Sequence, residues 1–302
     1  MSPMRVCLVL IFIMLLSGFT AAIAAETVVY GGQPAAEAGI ILSGWGSGSA
    51  EDSADKTLSG SKSVKVVTEG WFEGGSIEFK TPAKVFAGKP ADDAYLQFTI
   101  APTMQSVLST SSSDGDWFSK ASGQSGSSYD FGAESVQRPK IEKLRLVLTS
   151  DKGKRMEFIE PMTPASEAGW VNASIPLKKL AAADAAEYSL KKALVFSDVA
   201  DTIYIGYIHV VQDKDLITAD PEEDMSYSSN EPVPFRANAV GGLGALRRSW
   251  DFDNKDGIQE DAIGEFVTHV YKVTGDYIVT LTVTDINGVK ASVTKTINVH
   301  IE

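Results

Sequence analysis

Apolar and polar residues alternate along much of this chain, and the alternation limits the possible folds more than any other feature. Successive side chains of a β-strand point to opposite faces, so a period-two run predicts a half-buried strand. Helical periodicity is confined to residues 177–186, where Leu, Lys and Ala dominate. Before residue 212 the alternating runs are 63–67, 76–79, 95–100, 144–148, 156–159, 172–177 and 203–211. The pattern predicts an antiparallel β-sandwich.

A second group of strand-like runs occupies the C-terminal end of the chain. In residues 277–284 every second side chain is apolar, and most of the others are Thr. One face of this strand is therefore apolar. The dipeptide Asn287-Gly288 predicts a two-residue hairpin turn before a last strand at 291–301.

Between the two groups, residues 218–234 read TADPEEDMSYSSNEPVP. A segment rich in Pro, acidic residues and Ser buries too little to offset its ordering entropy, so it predicts an exposed linker. The chain is long enough for two hydrophobic cores. We expect a first domain at 26–215, an acidic linker at 216–232 and a second domain at 233–302.

The first 25 residues have the pattern of a signal peptide. A basic start precedes an apolar run at 6–16, and small residues follow it, which predicts cleavage after Ala24 or Ala25. The run is shorter than the roughly 20 residues of a spanning helix, so no membrane insertion is expected after cleavage. The single Cys, Cys7, lies within this segment, so the mature chain is cysteine-free. The sequence predicts a secreted, extracellular or cell-envelope protein that is stable without disulfides.

The chain is acidic, with a formal net charge of −12. Phosphate backbones attract positive charge, so this balance argues against nucleic acid as a partner. Export would make structural calcium available to such a protein, and no other cofactor is expected.

The stretch SWDFDNKDGIQED, at 249–261, combines five carboxylates with a Gly and a Trp. A calcium loop of the EF-hand type needs oxygen ligands at its first, third and fifth positions and Gly at the sixth. Counting from Asp251 places Lys255 at the fifth position, and counting from Asp253 places it at the third. Paired catalytic carboxylates must face each other across a cleft, which one surface turn does not provide. A structural role is the remaining interpretation.

The C-terminal motifs resemble those of the PKD domain. They are Trp250-Asp251-Phe252, His269-Val270-Tyr271 and the run GDYIVTLTVTDING at 275–288. The turn after Phe252 is longer than in the family pattern W-D-F-G-D-G, and Thr274 replaces the usual Pro. The resemblance implies a non-catalytic, immunoglobulin-like β-sandwich, common on exported and cell-surface proteins and often beside carbohydrate-active modules. It also implies that Trp250 and Tyr271 fill the core.

The N-terminal half resembles galactose-binding-like jelly rolls, a class with many carbohydrate-binding modules. The residues that carry the resemblance are Gly60-Ser61-Lys62-Ser63 at a strand entry, Gly74-Gly75-Ser76-Ile77, and the closing strand at 203–210. Gly206 stands where the family often has Asp, so no ligand residue is carried over. The resemblance implies a jelly-roll β-sandwich.

Exposed aromatic rings are the expected sugar contacts, because sugars present apolar ring faces. Trp71 and Phe72 lie in the Gly-flanked turn EGWFEGG, where at least one ring must point outward. Others lie between glycines or in the Ser- and Gly-rich insertion at 103–137, which is either a functional loop or a loose surface loop. The candidate glycan-stacking residues are Trp45, Trp71, Phe72, Trp117, Phe118 and Tyr129.

Catalytic signatures are missing from the sequence. The three His residues are scattered, and no H-E-x-x-H or G-x-S-x-G motif occurs. The sequence favours a non-enzymatic protein without catalytic or metal-ligand residues, whose N-terminal domain binds an extracellular or cell-wall polysaccharide. The PKD-like domain would then act as a spacer or docking module. A structural or adhesive protein that contacts surface proteins is the alternative, and an unrecognised carboxylate-based glycoside hydrolase or lyase is a third hypothesis.

Overall fold

The computed structural model describes residues 27–106, 137–139, 141–165, 167, 169–182, 186–221 and 223–302. Within these ranges the chain is nearly all β and forms two sandwiches, which confirms the predicted fold class. The predicted signal peptide and most of the Ser- and Gly-rich insertion lie outside the described residues.

The N-terminal unit contains the strands β1 (Thr27–Tyr30), β2 (Ile40–Trp45), β3 (Ser49–Ser53), β4 (Ser63–Glu69), β5 (Gly74–Ala87), β6 (Ala94–Pro102), β7 (Met104–Ser106), β8 (Gln137–Pro139), β9 (Lys143–Ser150), β10 (Arg155–Pro161), β11 (Thr163–Pro164), β12 (Val171–Pro176), β13 (Glu187–Ser197) and β14 (Ala200–Gln212). A helix, α1 (Leu177–Ala181), follows β12 and is shorter than the predicted segment 177–186. Each of the seven alternating runs lies mainly within a strand. Seven strands of this unit were not predicted, because they are short or their polar and apolar residues do not alternate cleanly; they are β1, β2, β3, β7, β8, β11 and β13.

The strand order of the N-terminal unit is that of a jelly roll. One sheet runs β11-β12-β6-β14-β4-β3, with β1 also paired to β14, and the other runs β10-β9-β13-β5-β2. Strands β4, β14, β6 and β12 of the first sheet face β5, β13, β9 and β10 of the second, as in two interleaved Greek keys. The core between the sheets includes Phe98, Leu146 and Ile205, none of which is exposed.

Gly206, in β14, shows why the closing strand departs from the galactose-binding-like pattern. A Cβ atom there would lie 2.6 Å from the indole ring of Trp170 and 2.6 Å from Leu58. Trp170 is buried and packs over this strand position. The site therefore accommodates a tryptophan ring where the family often has Asp.

The C-terminal unit contains β15 (Thr218–Ala219), β16 (Met225–Tyr227), β17 (Pro232–Arg236), β18 (Ala239–Val240), β19 (Leu246–Asp251), β20 (Ala262–Ile263), β21 (Phe266–Val270), β22 (Gly275–Asp285) and β23 (Val293–Ile301). The larger sheet runs β16-β23-β22-β19-β20, and β17 pairs with β21 in a smaller sheet. Val279, Leu281 and Val283 of β22 are fully buried, as the alternation predicts.

The segment interpreted as a linker contributes to this second core. Strands β15 and β16 lie within it, and β16 pairs in parallel with β23. Ile217 and Ala219 are buried among the core residues of the C-terminal unit. The domain boundaries at 215 and 233 stay a prediction.

The connection between β22 and β23 is longer than the predicted two-residue hairpin, so that prediction is wrong. It runs from Ile286 to Ser292. The buried carboxylate of Asp285 accepts hydrogen bonds from the backbone N–H groups of Asn287 (2.9 Å), Val289 (2.9 Å) and Lys290 (3.2 Å). This cap stabilises a wider loop, which carries Lys290 toward the N-terminal unit.

A buried ion pair joins the two units. The ammonium of Lys290 lies 2.6 Å from a carboxylate oxygen of Asp213, and the two side chains are only 6% and 2% exposed. Lys290 also donates to the carbonyl of Gly241 (2.5 Å), and Asp213 accepts from the N–H of Leu243 (2.6 Å). The units are therefore docked at this junction rather than separated by a free tether.

Candidate functional site

The turn between β4 and β5 presents the most exposed aromatic ring among the described residues. Phe72 is 72% exposed, whereas its neighbour Trp71 is half-buried. The guanidinium of Arg145 lies 5.1 Å from the centroid of the Phe72 ring and 4.8 Å from that of Phe196. A cation over an aromatic face attracts the ring. Arg145 therefore holds the Phe72 ring from one side while most of the residue remains open to solvent.

Arg145 is itself fixed by three hydrogen bonds. Its Nε and Nη2 donate to the two carboxylate oxygens of Glu157, at 2.8 and 3.0 Å. Its Nη1 donates to the carbonyl oxygen of Trp71 at 2.7 Å. A bidentate pair between a guanidinium and a carboxylate fixes the orientation of the two groups as well as the distance between them. The turn that carries Phe72 is therefore tied to strands β9 and β10.

The hydrogen bond from Arg145 lowers the pKa of Glu157, and partial desolvation opposes this effect. The stability from the lowered pKa is present above the unfolded-state pKa and is lost as the pH falls through the folded-state value. We expect Glu157→Gln to cost under about 1 kcal/mol at neutral pH, since Glu157 is half exposed, and the cost to vanish in acid. Urea unfolding of both proteins across the acid range measures this difference. A cost that does not change with pH would contradict the role of the Glu157 charge.

The Arg145 position belongs to a row that crosses the outer face of the five-stranded sheet. Arg145 is paired with Ile159 of β10 on one side and with Phe196 of β13 on the other. Gly74 of β5 lies beside Phe196 and is paired with Trp45 of β2. With neighbouring strands about 4.8 Å apart, the row from Ile159 to Trp45 is roughly 19 Å long.

The two ends of this row are exposed. Trp45 is 42% exposed and Ile159 52% exposed, and the ammonium of Lys192 lies 5.6 Å from the Trp45 ring. Gly74 is needed between Trp45 and Phe196, because a Cβ there would lie 2.1 Å from the Val195 carbonyl oxygen. Between these ends, Phe196 (1% exposed) and Arg145 (9% exposed) are buried, so the groups open to a ligand are Trp45, Ile159 and the nearby Phe72. We call Trp45, Phe72, Arg145, Phe196 and Ile159 the aromatic row.

Carboxylates of the acidic stretch at 249–261 accept hydrogen bonds from backbone N–H groups. Asp251 is buried and accepts from the N–H groups of Asp253 (3.1 Å) and Gln259 (3.3 Å), while Asp261 accepts from the N–H of Phe252 (2.8 Å). These contacts support the structural interpretation. In the ranges that the structure describes, no group of three or more His, Asp or Glu side chains is arranged to hold a metal ion.

The aromatic motif residues of the C-terminal unit lie where the resemblance predicts. Trp250 is fully buried, and its Nε1 donates to the carbonyl of Gly264 at 3.0 Å. The hydroxyl of Tyr271 donates to the carbonyl of Phe252 at 3.0 Å. His269 is stacked on Phe252 at 4.2 Å, and its burial lowers the pKa of the imidazole.

The family model of the PKD domain matches residues 218–301. The C-terminal unit is a PKD domain. The match begins within the segment interpreted as a linker, where β15 also begins. PKD domains are typically non-catalytic modules of extracellular proteins, and no catalytic family matches this chain.

No curated protein matches the sequence. Among solved structures, the fibronectin(III)-like modules of Clostridium thermocellum CbhA match with 14% identity over 55% of this chain and 81% of that chain. The TM-score of 0.25 is too low to indicate a shared overall arrangement.

Three of the six predicted stacking residues lie near one another around the outer face. Trp45 and Phe72 present exposed rings, and Trp71 contributes its carbonyl to Arg145. The turns that carry them are joined by a hydrogen bond from Ser47 to Glu73. Trp117, Phe118 and Tyr129 lie outside the described residues.

Sequence reasoning missed Arg145, Glu157 and Phe196. The only local signal was Arg145 itself, a lone cation inside the otherwise apolar run 144–148. In the residues that the structure describes, no helix combines the length and apolarity that a bilayer crossing needs.

Proposed function

We propose that this chain is an exported, non-catalytic protein that binds a polysaccharide of the cell wall or extracellular matrix through its jelly roll. The carrying observation is the Phe72 ring, which is 72% exposed and held on Arg145. The exposed members of the aromatic row, Trp45, Phe72 and Ile159, form the proposed binding surface. The docked PKD domain would hold that surface in a fixed orientation, in place of a flexible spacer.

The chemistry of the row suits a sugar chain. Apolar ring faces of sugars pack on exposed aromatic side chains, and Tyr, Trp and Phe bury large areas at little conformational cost. Arg145 is buried and commits three of its five N–H donors to Glu157 and Trp71, so it orients Phe72 and leaves recognition to ring contacts and nearby polar groups. Pre-ordering of the platform lowers the entropic cost of binding. This argument favours neutral sugar polymers over strongly charged ones.

We expect Phe72→Ala to weaken binding to soluble oligosaccharides at least tenfold, because it removes the platform that Arg145 holds. Trp45→Ala should weaken binding of long oligosaccharides more than of short ones, since it lies at one end of the row. Isothermal titration calorimetry of the full chain, against oligosaccharides drawn from a panel of neutral polysaccharides, measures both effects.

Phe266→Ala is the matched control, since Phe266 is 65% exposed and lies 5.0 Å from the guanidinium of Arg236 in the PKD domain. It makes the same chemical change at a similar cation–ring contact, away from the jelly roll, and should leave affinity for short oligosaccharides unchanged. Equal losses in Phe72→Ala and Phe266→Ala would contradict the assignment of the surface. Failure of the wild type to bind any glycan of the panel would overturn the proposed function itself.

A further inference from the structure

The smaller sheet of the PKD domain leaves one edge of β21 unpaired. The N–H of Ala237 donates to the carbonyl of Glu265 at 2.9 Å, which fixes the alternation of hydrogen-bonded pairs between β17 and β21. Backbone groups of Val267 and His269 therefore face β17. Those of Phe266, Thr268 and Val270 face away from it, and in the part of the chain that the structure describes no other strand pairs with β21.

The two edges of this sheet differ in one respect. On β17 the outward positions include Pro232 and Pro234, which have no N–H to offer a neighbouring strand. Strand β21 contains no Pro and no Asp, Glu, Lys or Arg. Native proteins usually protect edge strands with such residues. Only the β17 edge is protected in this way.

The three side chains beside the open edge are exposed, and two of them are apolar. Phe266 is 65% exposed, Val270 is 41% exposed, and Thr268 between them is also exposed. If two copies pair antiparallel about Thr268, Phe266 of each lies opposite Val270 of the other. The outward backbone groups of the two copies then form three hydrogen-bonded residue pairs: one between the two Thr268 residues and two between Phe266 and Val270. Each pair exchanges two hydrogen bonds, which makes about six. The edge is therefore complementary to itself.

Opposite charges flank the edge. Glu265 precedes β21 and Lys272 follows it by two residues, and both are exposed. Neither side chain forms an ion pair with another described residue. In this register Glu265 of each copy lies opposite Tyr271 of the other, one residue from Lys272, so the long Glu and Lys side chains can approach each other across the edge. This complementarity favours a second copy of the chain as the occupant.

We propose that the open edge of β21 pairs antiparallel with the same edge of a second copy, and that the protein forms a weak, reversible dimer through its PKD domain. The contact is small and the chain carries a net charge of −12, so affinity is expected to be low and to depend on salt. Each dimer presents two aromatic rows, which raises avidity for a polymer if the jelly roll binds one.

Sedimentation velocity of the full chain over a concentration series tests the pairing. We expect the wild type to dimerise reversibly, and Glu265→Lys or Lys272→Glu alone to weaken dimerisation about tenfold, since each places like charges together. The double variant Glu265→Lys/Lys272→Glu should restore the wild-type constant to within about twofold. Glu37→Lys, an exposed charge reversal in the jelly roll, controls for the change in net charge.

Thr268→Pro gives an independent measurement. The N–H that this substitution removes faces away from β17, so no hydrogen bond within the chain is lost. The same N–H would bond to the second copy at the centre of the pairing, so dimerisation should disappear. Its thermal unfolding is compared with that of the wild type, and the charge series decides the question if this variant does not fold. A wild type that stays monomeric up to about 1 mM, or a double variant no better than the singles, would overturn the proposal. Neither outcome depends on whether the jelly roll binds a glycan.

Discussion

Replacement of Lys290 by Ala is expected to lower the free energy of unfolding by about 3–5 kcal/mol. The substitution leaves the Asp213 carboxylate, which is 2% exposed, without its cation. A buried unpaired charge is costly because the protein interior replaces its hydration poorly. The carbonyl of Gly241 also loses a donor. The loss falls at the junction and should undock the PKD domain from the jelly roll.

Calorimetry of the full chain measures this effect. A loss of this size in a domain of under 100 residues lowers the melting midpoint by more than about 10 °C. The matched control is Lys178→Ala in α1, because Lys178 reaches the same junction and donates to the carbonyl of Gly288 at 2.7 Å, but its hydrogen bond is exposed. We expect Lys178→Ala to cost under about 1 kcal/mol.

The double variant Lys290→Met/Asp213→Asn separates charge burial from packing. It removes both charges and keeps an acceptor for the N–H of Leu243, so it should be more stable than Lys290→Ala. Equal stability of Lys290→Ala and Lys178→Ala would show that the ion pair is not buried in solution. The PKD domain would then be a loosely tethered spacer.

Local patterns in the sequence predicted the strands well, because a strand records its two faces in alternate residues. Residues 277–284 alternate cleanly, and Val279, Leu281 and Val283 are buried in β22. The W-D-F and H-x-Y motifs likewise predicted that Trp250 and Tyr271 lie in a core, and both side chains are buried there. These features depend on neighbours in sequence or on a family pattern.

Features that depend on strand pairing could not be predicted. Arg145 contacts Glu157 on the next strand and the carbonyl of Trp71, more than 70 positions away, and only the register of β9, β10 and the β4–β5 turn brings them together. A sequence shows that a residue is charged but not which residue lies opposite. The candidate surface was therefore predicted only through its aromatic rings.

The prediction of a two-residue hairpin turn at Asn287-Gly288 was wrong for a related reason. The dipeptide favours a tight hairpin locally, but the Asp285 carboxylate caps a wider loop and Lys290 must reach Asp213. Residues 218–234 looked too polar to be ordered, yet β16 gains its order from pairing with β23. In both cases a contact distant in sequence outweighed the local composition.

Replacement of Trp250 by Ala is expected to destabilise the PKD domain by about 3–5 kcal/mol. The indole is fully buried, and its ring centroid lies 5.5 Å from that of Phe235. The change opens a cavity between the two sheets and leaves the carbonyl of Gly264 without the Nε1 donor. Urea unfolding, followed by circular dichroism so that loss of the indole does not change the signal, measures the cost.

Two further variants separate the cost of the cavity from the cost of the lost hydrogen bond. Trp250→Phe keeps a ring in the core but removes the donor, so it should cost about 1–3 kcal/mol. Trp45→Ala removes the same side chain from a position that is 42% exposed and should cost under about 1 kcal/mol. If Trp250→Ala were no worse than Trp45→Ala, the tryptophan of the W-D-F motif would not be the centre of this core. The large loss expected at Trp250 and the small one at Trp45 follow from burial, because one ring packs between two sheets and the other remains on an open face.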